Sequence, residues 1–323
     1  MVKGNDKIGI YYLGYHREYA LPIMVYFLKM IKDSNKKHII FYILADYDNE
    51  AYRKAQIELE SNGIQVCFKV MAGKYIDKIK WAIEQNNEYA WKMDDDVFLN
   101  QYLIDFMIEN RGMLNDDNNL LLSPLLSAGI PTHDRLADNF LTTGQKKLLH
   151  DEFLKTRFFK FLGCDYSFLN AHTLDADSWD CEAFYQSVST MSHHFKGIHP
   201  IRLNKQSALM MNDFVIENFD KFLAPQEYGF LDTNYPYLCN SCFLIKSDTW
   251  KSVVMDKSLY VDSYDEVPLN KYRDRSGKKM VYIDKSVGLH IIFNTCIIQS
   301  EMEAHEREFV SKIRDILKKD ADE

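Results

Sequence analysis

Apolar positions in the first third of the chain follow two alternating rhythms. Ile8 to Leu13 is a continuous apolar run, which predicts a buried strand. Glu18 to Ile31 has helical spacing, with Pro22 in the first turn, where its missing N–H is harmless. His38 to Ala45 reads as a second buried strand that stops at Asp46. Asp48 to Glu60 reads as a charged helix closed by Asn62-Gly63. Ile64 to Val70 predicts a third strand. Lys74 to Gln85 predicts a helix with Tyr75, Ile76, Ile79, Ala82 and Ile83 on one face. Tyr89 to Met93 predicts a fourth strand that runs into three aspartates. Strands and helices alternating at this spacing imply βαβ units and a Rossmann-like, mostly parallel sheet flanked by helices. Such sheets collect ligands at the carboxyl ends of their strands, where Asp46 and the triplet both fall.

The rhythm changes after a further strand at Leu120 to Pro124. His133 to Phe230 reads as mainly helical and irregular, and it holds six of the ten histidines. Strand-like sequence returns at Tyr237 to Lys246, followed by a short helix around Asp248 to Val254. A loop and helix begin at Asp262, and a strand pair is expected near Val281 to Ile298. Glu301 to Lys319 is an amphipathic helix, apolar at Phe309, Val310, Ile313, Ile316 and Leu317. The expected organisation is a ligand-binding half at 1–129, a large helical insertion at 130–235, a second half at 236–299 and a C-terminal helix at 300–323. With no repeat and no Gly/Ser linker, these read as one compact unit.

Composition narrows the function classes. Of 323 residues, 46% are hydrophobic and 27% charged, and the formal net charge is -8, which excludes a wholly basic nucleic-acid surface. Six cysteines are too few for a disulfide scaffold. Leu21 to Ile31, the longest apolar stretch, is broken by Lys29 and falls short of the ~20 residues of a spanning helix. Together with an N-terminus that lacks a secretory apolar region, this predicts a soluble, cytoplasmic protein without a transmembrane anchor. Cys239-Asn240-Ser241-Cys242 has no second CxxC to complete a zinc site and lies in a strand-like run, so it is read as packing.

Chemistry concentrates in Lys92-Met93-Asp94-Asp95-Asp96-Val97-Phe98-Leu99-Asn100. Three carboxylates between apolar runs raise one another's pKa, and a divalent cation is the common remedy. A hard cation in turn suits a diphosphate, whose oxygens it can bridge. A solvated acidic turn is the plain alternative.

This run resembles the DxD motif of nucleotide-sugar glycosyltransferases of the GT-A fold. Its wording is most similar to the β-1,3-galactosyltransferase and Fringe group, in the lysine, the aspartates and the Val-Phe that follows. The resemblance implies an α/β GT-A fold with a large mainly helical insertion, a UDP-sugar donor and a Mn2+ or Mg2+ ion. It implies Asp94 and Asp95 on the ribose side and Asp96 as metal ligand, with Asp94 close to the ion as well. By the same plan Tyr11, Tyr12, Gly14, Tyr15 and Arg17 would meet the nucleotide at the end of the first strand. Asp46 would meet the base, and Lys74 and Lys78 would face the donor. A helix cap for Asp46 and a solvated face for the lysines are the ordinary alternatives.

Tyr264-Asp265-Glu266-Val267-Pro268-Leu269 resembles the acidic element that supplies the general base of inverting members. Leu269, three positions on, points to Glu266 as the base, and the Asp-Glu order leaves Asp265 open. Helix-start acids complementing the macrodipole are the alternative. His290, inside Val287 to Phe293 and 24 residues past Glu266, is the histidine the resemblance implies as a further metal ligand. A hydrogen-bonded core histidine is the other reading. The implied reaction moves a sugar to a hydroxyl, by default on a glycan. A hydroxymethylated base in modified DNA is an alternative acceptor, and a non-catalytic nucleotide-sugar binding protein is a rival of another class. From His133 to Asp232 the chain carries ten Lys+Arg against fourteen Asp+Glu, which weakens the DNA option.

Overall fold

The computed structural model describes residues 7–127, 133–154, 160–161, 164–165, 205–231, 241–259, 266–291 and 299–322. The chain divides into two compact units: residues 1–124, 225–234 and 240–288 form one, and 125–224, 235–239 and 289–323 the other.

In the first unit, β1 (Ile8–Gly14) lies between β2 (Ile39–Ala45) and β4 (Tyr89–Asp94), parallel to both, and β3 (Gln65–Val70) extends the sheet beside β2. Every residue of β1 and β2 is buried, as continuous apolar runs covered on both faces should be. A two-residue strand that the sequence did not suggest, β5 (Val97–Phe98), follows two residues after β4. The strand expected at Leu120 runs as β6 (Asn119–Leu126). Including β9 (Gly229–Phe230), β10 (Cys242–Lys246) and β11 (Lys279–His290), the described sheet has the order β3-β2-β1-β4-β10-β6-β11-β5, with β9 on β11. β10 is antiparallel to both β4 and β6. Only Asp95 and Asp96 separate β4 from β5, yet β5 pairs at the far end of the order, so the sheet curls back on itself at this turn. The result is the α/β plan expected from the sequence, a sheet flanked by helices that is parallel from β3 to β4 and antiparallel where β10 and β9 join.

The helices of this unit form two layers. On one face α1 (Leu21–Met30) packs with α3 (Glu50–Ser61) and α5 (Gln101–Glu109), and α2 (Asp33–Lys36) packs on α5. On the other, α4 (Tyr75–Ile83) packs with a helix at Ser247–Met255, numbered α10 below. Strand alternation sends Tyr11 and Tyr12 to opposite layers. Tyr11 stacks on Tyr42 at 4.8 Å and meets Trp250, and Tyr42 meets Trp81 edge-on at 5.6 Å. Tyr12 packs on Phe41 instead. The Asn87 amide donates to the hydroxyls of Tyr11 (2.8 Å) and Tyr42 (3.1 Å), which satisfies these polar tips inside the core. Gly9 is required here, because a Cβ would sit 2.5 Å from the Asn87 amide.

Local signals explain the boundaries. α1 starts at Leu21, three residues later than expected, because Ala20 first closes a turn onto the Arg17 carbonyl at 2.9 Å. The Asn49 side chain accepts from the Ala51 N–H at 2.7 Å to open α3, and Gly63 with φ +81° closes it. Asn100 caps α5 by accepting from the Leu103 N–H at 2.8 Å. A 3-10 turn at Arg111–Asn115 follows. Pro124 has no N–H to offer the sheet, and the Ser123 hydroxyl donates to the Cys242 carbonyl at 3.0 Å.

The second unit is mainly helical where it is described: α6 (His133–Phe140), α7 (Thr143–Leu154), α8 (Lys205–Glu217) and α9 (Phe219–Leu223), with a two-residue hairpin of β7 (Lys160–Phe161) and β8 (Cys164–Asp165). Numbering continues with α10 (Ser247–Met255) and α11 (Glu266–Ser276) in the first unit and α12 (Gln299–Asp322) in the second, where α12 packs on α8. Among the described residues, no helix is long and apolar enough to cross a membrane. Of the strand pair expected near Val281 to Ile298, one long strand, β11, is described, and 292–298 lie outside the described residues. Tyr237 to Asn240 also lie outside them, and β10 begins at Cys242.

Candidate functional site

The triplet sits where the sheet topology puts binding chemistry. β4 is central in the sheet, and its last residue, Asp94, pairs with Leu13 of β1 and donates its N–H to the Ser241 carbonyl at 2.9 Å. The chain then turns through Asp95 and Asp96. Lys92 holds the first of the three carboxylates, and the Arg17 guanidinium faces the other two.

Asp94 is held by Lys92, whose ammonium lies 2.7 Å from its carboxylate and 5.4 Å from the centre of the Tyr75 ring. Lys92 and Asp94 are two apart on a strand and so share a face. Asp95 is 1% exposed and turns inward. It accepts from the Tyr15 N–H at 2.7 Å and lies 3.3 Å from the Arg17 guanidinium. Burial, and then the charge of Asp96, push its carboxyl up to about 6 against the opposing pull of Arg17 and the Tyr15 N–H. Asp96 is 13% exposed and lies 3.7 Å from the same guanidinium.

A second cluster adjoins the first through Tyr15. Lys78 of α4 is buried, with its ammonium 2.7 Å from Asp46 and 3.1 Å from the Gly14 carbonyl. That ammonium also lies 4.1 Å from the centre of the Tyr15 ring. The backbone of Tyr15 thus serves Asp95 while its ring covers Lys78. Gly14 is needed at this bend because a Cβ would sit 2.9 Å from the Tyr52 hydroxyl. Desolvation raises the Tyr12 and Tyr52 phenols well above their ordinary range, so both are neutral packing groups beside the carboxylates.

The structure therefore brings Tyr12, Gly14, Tyr15, Arg17, Asp46, Lys78, Asp94, Asp95 and Asp96 to one end of the sheet. It does not bring Tyr11 there, because its ring is enclosed in the opposite helix layer. Asp95 has no exposed surface to offer a ribose, and its carboxylate instead braces the loop after β1. Lys74 is exposed ahead of α4. Glu266 is the first residue of α11, while Asp265 lies outside the described residues. His290, in the second unit, is buried, with its backbone N–H and carbonyl both bonded to the Ser127 hydroxyl at 2.9 and 3.2 Å. Sequence reading missed two residues that shape the site. Lys92 was legible as the same-face neighbour of Asp94, whereas nothing in the sequence pointed to Tyr52.

Among the described residues no three His, Cys, Asp or Glu side chains form a metal cage. A nucleotide-bound Mg2+ or Mn2+ does not require one. Such an ion takes one or two carboxylates and completes its shell with phosphate oxygens and water. Asp96, partly open beside a buried carboxylate, supplies hard oxygen donors of that kind, so the residues fit the ion the motif implies.

No protein-family model and no curated protein matches the chain. Among solved structures, it is similar to GalNAc-T7 with UDP, GalNAc and Mn2+ at 10% identity and a TM-score of 0.45, over 90% of this chain and 44% of that one. It is similar to a mycobacterial protein at 9% identity and a TM-score of 0.41, over 95% of this chain and 73% of that one. The chain thus spans less than half the length of the first of these. Likeness at this level leaves activity to be argued from the site.

Proposed function

We propose that the chain is a nucleotide-sugar glycosyltransferase that moves a sugar from a UDP-sugar to a hydroxyl of a glycan, with inversion at the anomeric carbon. The observation that carries this reading is the Asp95-Asp96 turn at the carboxyl end of β4, linked through Tyr15 to the Asp46–Lys78 pair. Its wording resembles the DxD motif, and the turn follows the carboxyl end of a parallel strand, the end at which α/β sheets generally collect ligands.

Asp96 would hold Mn2+ or Mg2+, with Asp94 nearby, and the ion when bound neutralises charge on the diphosphate leaving group. Asp94, oriented by Lys92, would meet the ribose. Asp95 keeps the loop after β1 in place, and Tyr15 covers the Lys78 ammonium. Asp46, at the end of β2, would take the base through the face that Lys78 leaves to solvent. Glu266, or Asp265 beside it, would remove the proton of the acceptor hydroxyl as it attacks. The resulting exchange is balanced: the glycosidic bond to the new oxygen forms as the bond to the diphosphate breaks.

UDP-sugar hydrolysis, with and without Mn2+, tests the reading in wild type and in Glu266→Gln. Metal-stimulated turnover that falls at least about a hundredfold in the variant supports it, in line with the usual contribution of a positioned base. Wild-type protein that neither binds nor turns over any nucleotide sugar overturns it.

A further inference from the structure

The Arg17 guanidinium lies between two carboxylates, 3.3 Å from Asp95 and 3.7 Å from Asp96. Arg17 leaves the loop that follows β1 and is 19% exposed, so these pairs are largely shielded from water. Its positive charge stands where an ion on Asp96 would bring its own. A divalent cation arriving alone must therefore displace the guanidinium or bind against its repulsion. A diphosphate changes the balance, because its anionic oxygens match the planar fork of an arginine and give it a new partner.

We infer that Arg17 is a stand-in counter-cation: in the substrate-free site it neutralises the Asp95-Asp96 pair, and it yields Asp96 to the metal when a nucleotide diphosphate arrives to take the guanidinium. This rests on the proposed function, which it deepens by giving the site an order of assembly. Metal and diphosphate are then thermodynamically coupled through one side chain, and each tightens the other by the same factor. The Tyr15 N–H keeps its bond to Asp95 while the guanidinium turns from Asp96, the more exposed member of the pair, towards the diphosphate.

The test measures binding and not turnover. Mn2+ affinity is read by the loss of free-ion paramagnetic resonance signal and by calorimetry, with and without UDP, in wild type, Arg17→Gln and Arg17→Lys. In wild type, UDP should tighten Mn2+ by about tenfold or more, within the usual range of coupling between sites. Arg17→Gln should bind Mn2+ alone about tenfold tighter than wild type and lose most of the coupling to UDP. Arg17→Lys retains the charge and should keep the weak metal-alone affinity. A merely structural arginine predicts the opposite sign, since disturbing the loop would loosen the metal.

Arg17→Gln that binds Mn2+ alone no tighter than wild type overturns the inference, as does Arg17→Lys behaving like Arg17→Gln. In those cases wild-type binding of Mn2+ with UDP leaves the proposed function standing. Wild-type protein that takes up neither, alone or together, removes both. Thermal unfolding of the metal-free variants confirms that each is folded.

Discussion

Lys78→Met removes the ammonium that joins β1, β2 and α4. That group lies 2.7 Å from Asp46 and 3.1 Å from the Gly14 carbonyl, under the Tyr15 ring at 4.1 Å. Breaking a buried ion pair from one side costs about 3–5 kcal/mol, because it strands the other charge. Asp46 is 22% exposed and regains some water, which takes about 1–2 kcal/mol off that figure. Loss of the ring contact adds about 0.5–1 kcal/mol. The expected destabilisation is about 2–4 kcal/mol. Urea unfolding followed by tryptophan fluorescence measures it, with Trp81 and Trp91 as reporters within the same sheet and helix layer. Asp46→Asn strands the lysine in turn, and the double variant should recover at least about 1 kcal/mol relative to the sum of the two. A Lys78→Met protein within about 0.5 kcal/mol of wild type, or strictly additive effects, would refute the account of this pair.

Other residues give sharper local tests. Gly14→Ala presses a methyl to 2.9 Å from the Tyr52 hydroxyl and should cost about 1–3 kcal/mol in unfolding free energy, with partial rescue by Tyr52→Phe. Ser127→Ala strips the His290 backbone N–H and carbonyl of their shared partner, an expected loss of about 1–3 kcal/mol by thermal unfolding. In α5, Asp105 accepts from the Lys32 N–H at 3.1 Å and from the Asn35 amide at 2.6 Å, and burial raises its carboxyl. A raised carboxyl holds its proton more tightly in the folded state, so wild type should gain stability over Asp105→Asn as pH falls towards 4. Asp256 is the opposite case: Ser258 and Arg275 hold its carboxyl down to about 2. Its contribution is present above the ordinary carboxylate value and is lost as pH falls towards about 2, so acid unfolding of Asp256→Asn should show a shallower pH slope there.

The sequence made the parallel half of the fold legible because its strands are apolar on both faces and its helices carry clear caps. Ile8 to Leu13 and His38 to Ala45 could hardly be anything but buried strands, and Asn62-Gly63 marked the end of α3. α5 escaped notice because Val97 to Leu99 continues the apolar run of β4, although Asn100 ahead of an apolar stretch is a cap signal in its own right. The curl of the sheet was not readable, since it depends on β5 joining β11, nearly two hundred residues away. At the site, the triplet and its place at a strand end were legible. The division of labour among the aspartates was not, because which carboxylate turns inward depends on the loop after β1. That loop offers the Tyr15 N–H and Arg17 to Asp95, while Lys92 holds Asp94. Tyr11 and Tyr12 are adjacent and alike in sequence, and strand alternation sends Tyr12 to pack on Phe41 beside the Asp95 backbone and Tyr11 to the Tyr42 and Trp250 side of the core.

The central claim is that Asp96 and its neighbours bind a nucleotide diphosphate through a divalent cation. Calorimetric titration of UDP into the full chain, with Mn2+ and then with excess chelator, tests it most directly, alongside Asp96→Asn. The account predicts binding that depends on Mn2+ and weakens at least about tenfold in the variant, the loss expected when a metal's anionic ligand is removed. UDP affinity that is the same with chelator, with Mn2+ and in Asp96→Asn would contradict it.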